Sequence, residues 1–181
     1  MMKERLEKGN FIPRISWLVK TYNIFNKDYF DGKLPYLNIF NFKIERASNF
    51  FGCTRVGYWQ NEDGTITPSI DNLFISVSDA FLLNESAYED VLLHEMIHVY
   101  QIIILKVLPE HDSTFEQVVN ELREKGRNIP IFENPEDFEL RERRRYSKEE
   151  MRAFSLLFKD PIIVDEKDLE DGRHYVEIVV T

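Results

Sequence analysis

His94-Glu95-Met96-Ile97-His98 sets two imidazoles four residues apart, with a carboxylate directly after the first. On a helix, residues i and i+4 stack on one face, so both rings can reach a single metal ion. Imidazole nitrogen is a good zinc ligand at about 2.0–2.1 Å. Glu95 is rotated off the two-histidine line, where a carboxylate suits a general base acting on a water whose pKa a metal has lowered. The flanking residues Val91-Leu92-Leu93 and Val99-Tyr100 are apolar. Burying two imidazoles and a carboxyl group among them is costly without partners, and a metal resolves that cost. The competing reading has the histidines satisfied by backbone or carboxylates alone.

A catalytic zinc site needs a third protein ligand and an open position for water. The metzincin continuation requires Gly and His at positions that here hold Gln101 and Ile104, so that class is excluded. A thermolysin-like arrangement would take a glutamate from the following helix, and Glu116 and Glu121 are available. His111 is the other candidate, in a short loop after Pro109 where chain reversal returns it towards the metal face. Three of the four histidines fall in this one stretch, which favours a ligand over an exposed loop histidine. His174 lacks that context and reads as a surface strand residue.

These side chains have to be positioned by the elements around them. Ile15, Leu18, Val19, Tyr22, Phe25 and Tyr29 recur at helical spacing, which predicts a helix over 13–30 stopped by Asp31-Gly32 and Pro35. Alternation predicts strands over 36–44, with Phe40, Phe42 and Ile44 on one face, and over 52–59. The Asn61-Glu62-Asp63-Gly64 turn leads to extended stretches at 65–67 and 73–78, a meander of three or four strands. The motif lies on a second helix, over 86–108, apolar almost all round and therefore buried on most sides. A third helix starts at Ser113, where Ser113 and Glu116 read as a capping box, and Gly126 suits its C-terminal cap. Beyond residue 128 come a charged connection over 133–145, a short helix over 147–158 and a closing β-hairpin that includes 162–164 and 175–180.

Composition limits the function classes. The 181 residues carry 23 Lys+Arg against 32 Asp+Glu, a formal net charge of −9, which argues against sequence-blind polyanion binding. Residues 129–181 hold nine basic against fourteen acidic side chains. Their one basic concentration, Arg141, Arg143, Arg144 and Arg145, is interleaved with Glu139 and Glu142 and reads as a solvated face. A single cysteine, Cys53, excludes zinc ribbons, internal disulfides and dithiol redox chemistry. No secretory or membrane-spanning apolar run is visible, so the expected setting is the cytoplasm, with no membrane partner.

Tyr22-Asn23-x-Phe25-Asn26-x-x-Tyr29-Phe30-Asp31-Gly32-x-Leu34-Pro35, the meander, Leu92-Leu93-His94-Glu95-Met96-Ile97-His98 and His111-x-x-x-Phe115 together resemble the SprT-like zinc metallopeptidase family over roughly residues 11 to 128. That family includes the Spartan-type proteases, which degrade proteins crosslinked to DNA. The resemblance implies zinc as cofactor, His94, His98 and His111 as its ligands, and Glu95 as catalytic base in peptide-bond hydrolysis. It implies a protein or peptide substrate held against a strand edging the cleft, for which residues 73–78 are the expectation. It admits DNA as a partner, which the charge does not support. Asp112 departs from the family's glycine after the third ligand, and no Cys pair follows the peptidase region. The expected architecture is an α+β zincin-like domain over 1–128 and a small helix-plus-hairpin extension over 129–181. The strand-like 175–180 could add to an exposed sheet edge and make the extension autoinhibitory. The alternative function is a catalytically silent, zinc-bound binding or regulatory module.

Overall fold

The computed structural model describes residues 6–131, 133–141, 162–168 and 173–181. The helix expected over 147–158 and the arginines at 143–145 lie outside the described residues.

The first helix, α1 (Ile15–Phe30), buries Leu18, Tyr22 and Phe25 along one stripe. Its end shows what the Asn26-to-Pro35 motif does. Asp31 takes the left-handed conformation (φ 54°) and Gly32 follows it (φ 71°). The Asn26 side chain then grips Leu34 twice, accepting from its N–H and donating to its carbonyl, both at 3.0 Å. The Tyr22 hydroxyl donates to the Pro35 carbonyl at 2.9 Å. A tight reversal is thereby tied back onto the helix it terminates.

The strand expected over 36–44 is mostly something else. Residues Ile39–Asn41 form a 3₁₀ turn capped by the Asn38 side chain, and only Phe42–Glu45 (β1) is strand. Phe40 is 78% exposed instead of sharing a buried face with Phe42. Asn41 is the buried residue, its amide donating to the Leu73 carbonyl at 2.8 Å. Local side-chain capping by asparagine outcompeted the alternation. The second strand, β2 (Gly52–Gln60), forms as expected. The two extended stretches that follow are one long strand, β3 (Ile66–Ser78), whose register against β2 jumps between Val56 and Gly57. The residues between Ser69 and Leu73 are accommodated as a bulge, which reads locally as a break.

Among the described residues the sheet has five strands in the order β1-β3-β2-β5-β4, where β4 is Ile162–Asp168 and β5 is His174–Val180. β1 runs parallel to β3, and the other pairs are antiparallel. The closing hairpin thus joins the sheet built by the first half of the chain, through β5 against β2, and enlarges it beyond the expected three or four strands. A consequence corrects the cleft-edge expectation: residues 73–78 pair with β1 on one side and β2 on the other, so they lie inside the sheet.

The motif helix, α2 (Glu85–Tyr100), is capped by Asn84 and packs across β2 and β3, with α1 beside it. Leu92, Leu93, Met96, Ile97 and Val99 are fully buried. Instead of continuing to 108, it widens into a π turn over Gln101–Leu105 and ends at Lys106 in the left-handed region. The third helix, α3 (Ser113–Glu124), packs on α2 and buries Phe115, Val119 and Leu122. Its N-cap is Asp112 rather than Ser113: one carboxylate oxygen accepts from the N–H groups of Thr114 and Phe115. No described helix is long and apolar enough to cross a membrane.

Candidate metal centre

The α-helical geometry of α2 puts His94 and His98 on one face, their ring centroids 5.0 Å apart. The chain after the π turn comes back to the same face and delivers His111, with ring centroids 5.0 Å from His94 and 4.9 Å from His98. Phe115, one turn into α3, packs on all three rings at 4.7–4.9 Å and fixes the depth of the cluster. One nitrogen from each histidine falls in a set whose members all lie within 4.8 Å of one another. Glu116 and Glu121 are exposed on α3, so the glutamate alternative is not what the fold brings to this face. His174 is paired instead with Asp168 at 2.8 Å on the hairpin.

Hydrogen bonds on the far side of each ring determine which nitrogens face inwards. His94 Nδ1 sits 2.7 Å from the Pro130 carbonyl, and His98 Nδ1 sits 3.0 Å from Gln101 Oε1. Both partners accept, so both rings carry their proton on Nδ1 and turn an Nε2 lone pair towards the cluster. His111 Nε2 approaches His94 Nε2 to 3.0 Å. His98 Nε2 is buried with no hydrogen-bond partner among the described residues. A buried lone pair of this kind, beside two further imidazole nitrogens, is the donor set that a borderline-soft divalent ion fits. Tetrahedral coordination at zinc–nitrogen distances would need ligand nitrogens about 3.3 Å apart, and the His94–His111 pair, at 3.0 Å, is near that. Burial, with His111 as neighbour, holds His94 down at about 3. Burial, with His94 and His111 as neighbours, also puts His98 well below its ordinary value. Both stay neutral, the state a metal ligand needs.

Three groups that the sequence did not single out hold this arrangement. Gln101, fully buried, accepts from His98 and donates to the Glu110 carbonyl at 2.7 Å and to Asp112 Oδ1 at 3.1 Å. It links one candidate ligand to the loop bearing another. Pro130 contributes only its carbonyl; nearby, Arg127 ties the same segment to α2 by pairing with Glu89 at 3.1 Å and Asp90 at 2.8 Å. Thr54 on β2 donates to Glu95 Oε2 at 2.7 Å. A capped loop and an amide three residues past the motif carry no periodic signal, which is why only geometry reveals them.

Glu95 is 1% exposed. Burial pushes its carboxyl up to about 8, against the opposing Thr54 hydrogen bond. A cation at the neighbouring histidines would pull it back down, towards the range in which a base gives and takes protons at neutral pH. Space for the carboxyl group depends on Gly52: a Cβ there would lie 2.7 Å from Glu95 Oε1 and 2.9 Å from Val91 Cγ1. Asp112 is occupied as the α3 cap and as partner to Gln101, so the departure from glycine after His111 has a structural use here. Tyr100 packs on Phe30, and Tyr58 is buried in the core.

A model of the SprT-like family matches residues 18–134, which takes in most of α1, the first three strands, all three candidate ligands and α3. No curated protein and no solved structure gives a significant match.

Proposed function

The chain belongs to the SprT-like family, and on that footing we propose that it is a zinc-dependent endopeptidase. The observation that carries this is the convergence of three imidazoles, two of them held neutral by burial and one with an orphaned buried Nε2, beside a buried carboxyl group. His94, His98 and His111 would hold the ion, leaving a fourth position open. Zinc bound there would polarise a scissile carbonyl and lower the pKa of a water. Glu95, steadied by Thr54, accepts the proton of that attacking water and passes it to the leaving amine. Gln101 and the Pro130 carbonyl keep two of the rings in the ligating tautomer.

The test is metal content by elemental mass spectrometry together with hydrolysis of β-casein, on wild type, Glu95→Gln and His111→Ala. We expect about one zinc per chain in wild type and Glu95→Gln, hydrolysis only in wild type, and clearly weakened zinc in His111→Ala. Glu95→Gln indistinguishable from wild type in hydrolysis would overturn the peptidase and leave the zinc-bound binding module. Adding single- or double-stranded DNA to the same assay tests action on DNA-associated protein. The net charge of −9 leads us to expect no stimulation by DNA alone.

A further inference from the structure

The acceptor that orients His94 stands on backbone with no helix or ladder of its own. Residues 127–130 follow α3 and belong to no helix or strand, yet the Pro130 carbonyl accepts from His94 Nδ1 at 2.7 Å. Such a stretch is placed by the side chains that tie it down. One of those ties comes from α2 itself. Asp90 lies one turn before His94 on the same face of the helix. Its carboxylate accepts from Arg127 Nε at 3.0 Å and from the Asn128 N–H. Arg127 Nη1 also donates to Glu89 at 3.1 Å, and the guanidinium lies 5.2 Å from the centre of the Phe25 ring on α1. Between these anchors and Pro130, Ile129 is fully buried, and its carbonyl accepts from Arg123 of α3 at 3.2 Å. The segment is thus pinned to successive turns of α2, at Asp90 through a charged pair and at His94 through one carbonyl.

Stability is a weak reason for a charged pair in this place. Asp90 is 6% exposed and is followed by the buried Val91, Leu92 and Leu93. Burial holds its carboxyl above the ordinary range, with Arg127 opposing. Apolar side chains of similar volume often serve a buried position as well as an ion pair does, or better. What they lack is direction, and direction is what the Pro130 carbonyl needs if it is to meet an imidazole N–H.

We propose that Asp90 and Arg127 are positioning residues of the candidate metal centre: they hold the Pro130 carbonyl against His94 and keep that ring in the tautomer and orientation that ligate. This rests on the zinc reading of the site and not on hydrolysis. The coupling runs both ways, so whatever the pair adds to zinc affinity, zinc adds to the docking of residues 127–130.

The experiment uses the full chain with zinc alone. Affinity is read by chelator competition, and the imidazole N–H resonances are followed in zinc-loaded, isotope-labelled protein. Asp90→Leu/Arg127→Met replaces the pair by apolar side chains. Zinc affinity is expected to fall about tenfold, the lower end of what partners of ligating imidazoles are worth. The melting temperature of the metal-free protein should stay the same or rise. The His94 Nδ1–H resonance should move or broaden, while that of His98, held by Gln101, stays in place. Arg127→Lys keeps a donor for Asp90 and should fall between the double variant and wild type, so the result does not hang on one variant folding. In unmutated protein, zinc should slow hydrogen exchange at the amides of Arg127, Asn128 and Ile129. Zinc affinity indifferent to both variants, a His98 resonance that moves together with that of His94, or amides that zinc leaves unchanged would each overturn the proposal and leave the zinc reading standing. Wild type that takes up no zinc would overturn both.

Discussion

Gln101 and Glu95 show how much of the site is decided one atom away from the candidate ligands. Gln101→Met removes the acceptor for His98 Nδ1 and the donor to the Glu110 carbonyl at once. Zinc affinity should fall about 10–100-fold, measured by chelator competition, since partners of ligating imidazoles are worth that much. Gln101→Glu keeps an acceptor for His98 but loses the donor to the loop, so its loss should be smaller. If the methionine variant binds zinc like wild type, the loop holds His111 without Gln101. Charge gives a second prediction, for the metal-free protein. His94 and His98 have values depressed by burial below the unfolded 6.5, His94 to about 3. Their contribution to stability is full above 6.5 and is lost as pH falls. Glu95 is raised from 4.5 to about 8. Its contribution is full below 4.5 and is lost as pH rises to about 8, at ~1.4 kcal/mol per pH unit. Metal-free stability should therefore peak near pH 6.5, and Glu95→Gln should remove the alkaline limb. Thermal unfolding across pH 4–9 checks this, and an alkaline limb unchanged in the variant would assign it to another group.

Elements differ in how openly their sequence announces them. α1 and α2 were legible because an apolar stripe or an apolar cylinder persists for four turns, and burial against the sheet enforces it. The strand expected over 36–44 failed because Asn38 and Asn41 offer side-chain oxygens that stabilise a 3₁₀ turn, a competition that alternation cannot register. The end of α2 failed for a related reason: the π turn that buries Gln101 needs its partners on the far loop. Gly52 is a case in which sequence names the residue but not its purpose. As the first residue of β2 it looks like strand punctuation, yet its missing side chain is the room in which Glu95 and Val91 sit. Gly52→Ala must move one of them, at an expected cost of about 1–3 kcal/mol in unfolding free energy. Hydrolysis should fall more than zinc content, because the displaced group is the base rather than a candidate ligand. Equal losses of both would mean that α2 shifts as a whole.

At the scale of the whole molecule, the part of the chain outside the family match completes the sheet. Local patterning predicted a hairpin near residues 162–180, but the edge it joins is a long-range choice that alternation leaves open. The same is true of residues 73–78, which are extended in sequence and structure alike but become interior only once β1 pairs with them in parallel. The energetics of the five strands should not be uniform. β3 is covered by ladders on both sides and carries fully buried Leu73, Ile75 and Val77, whereas β4 is an edge with exposed side chains. Units with few buried contacts open at lower free energy than the global transition. Native-state hydrogen exchange in increasing denaturant should then separate two classes. Amides at 73–78 and 92–99 should exchange only through global unfolding, with the full denaturant dependence. Those at 162–168 and 174–180 should exchange through a smaller opening with weak dependence. If all five strands exchange as one cooperative unit, β5 is bound as tightly as the core itself.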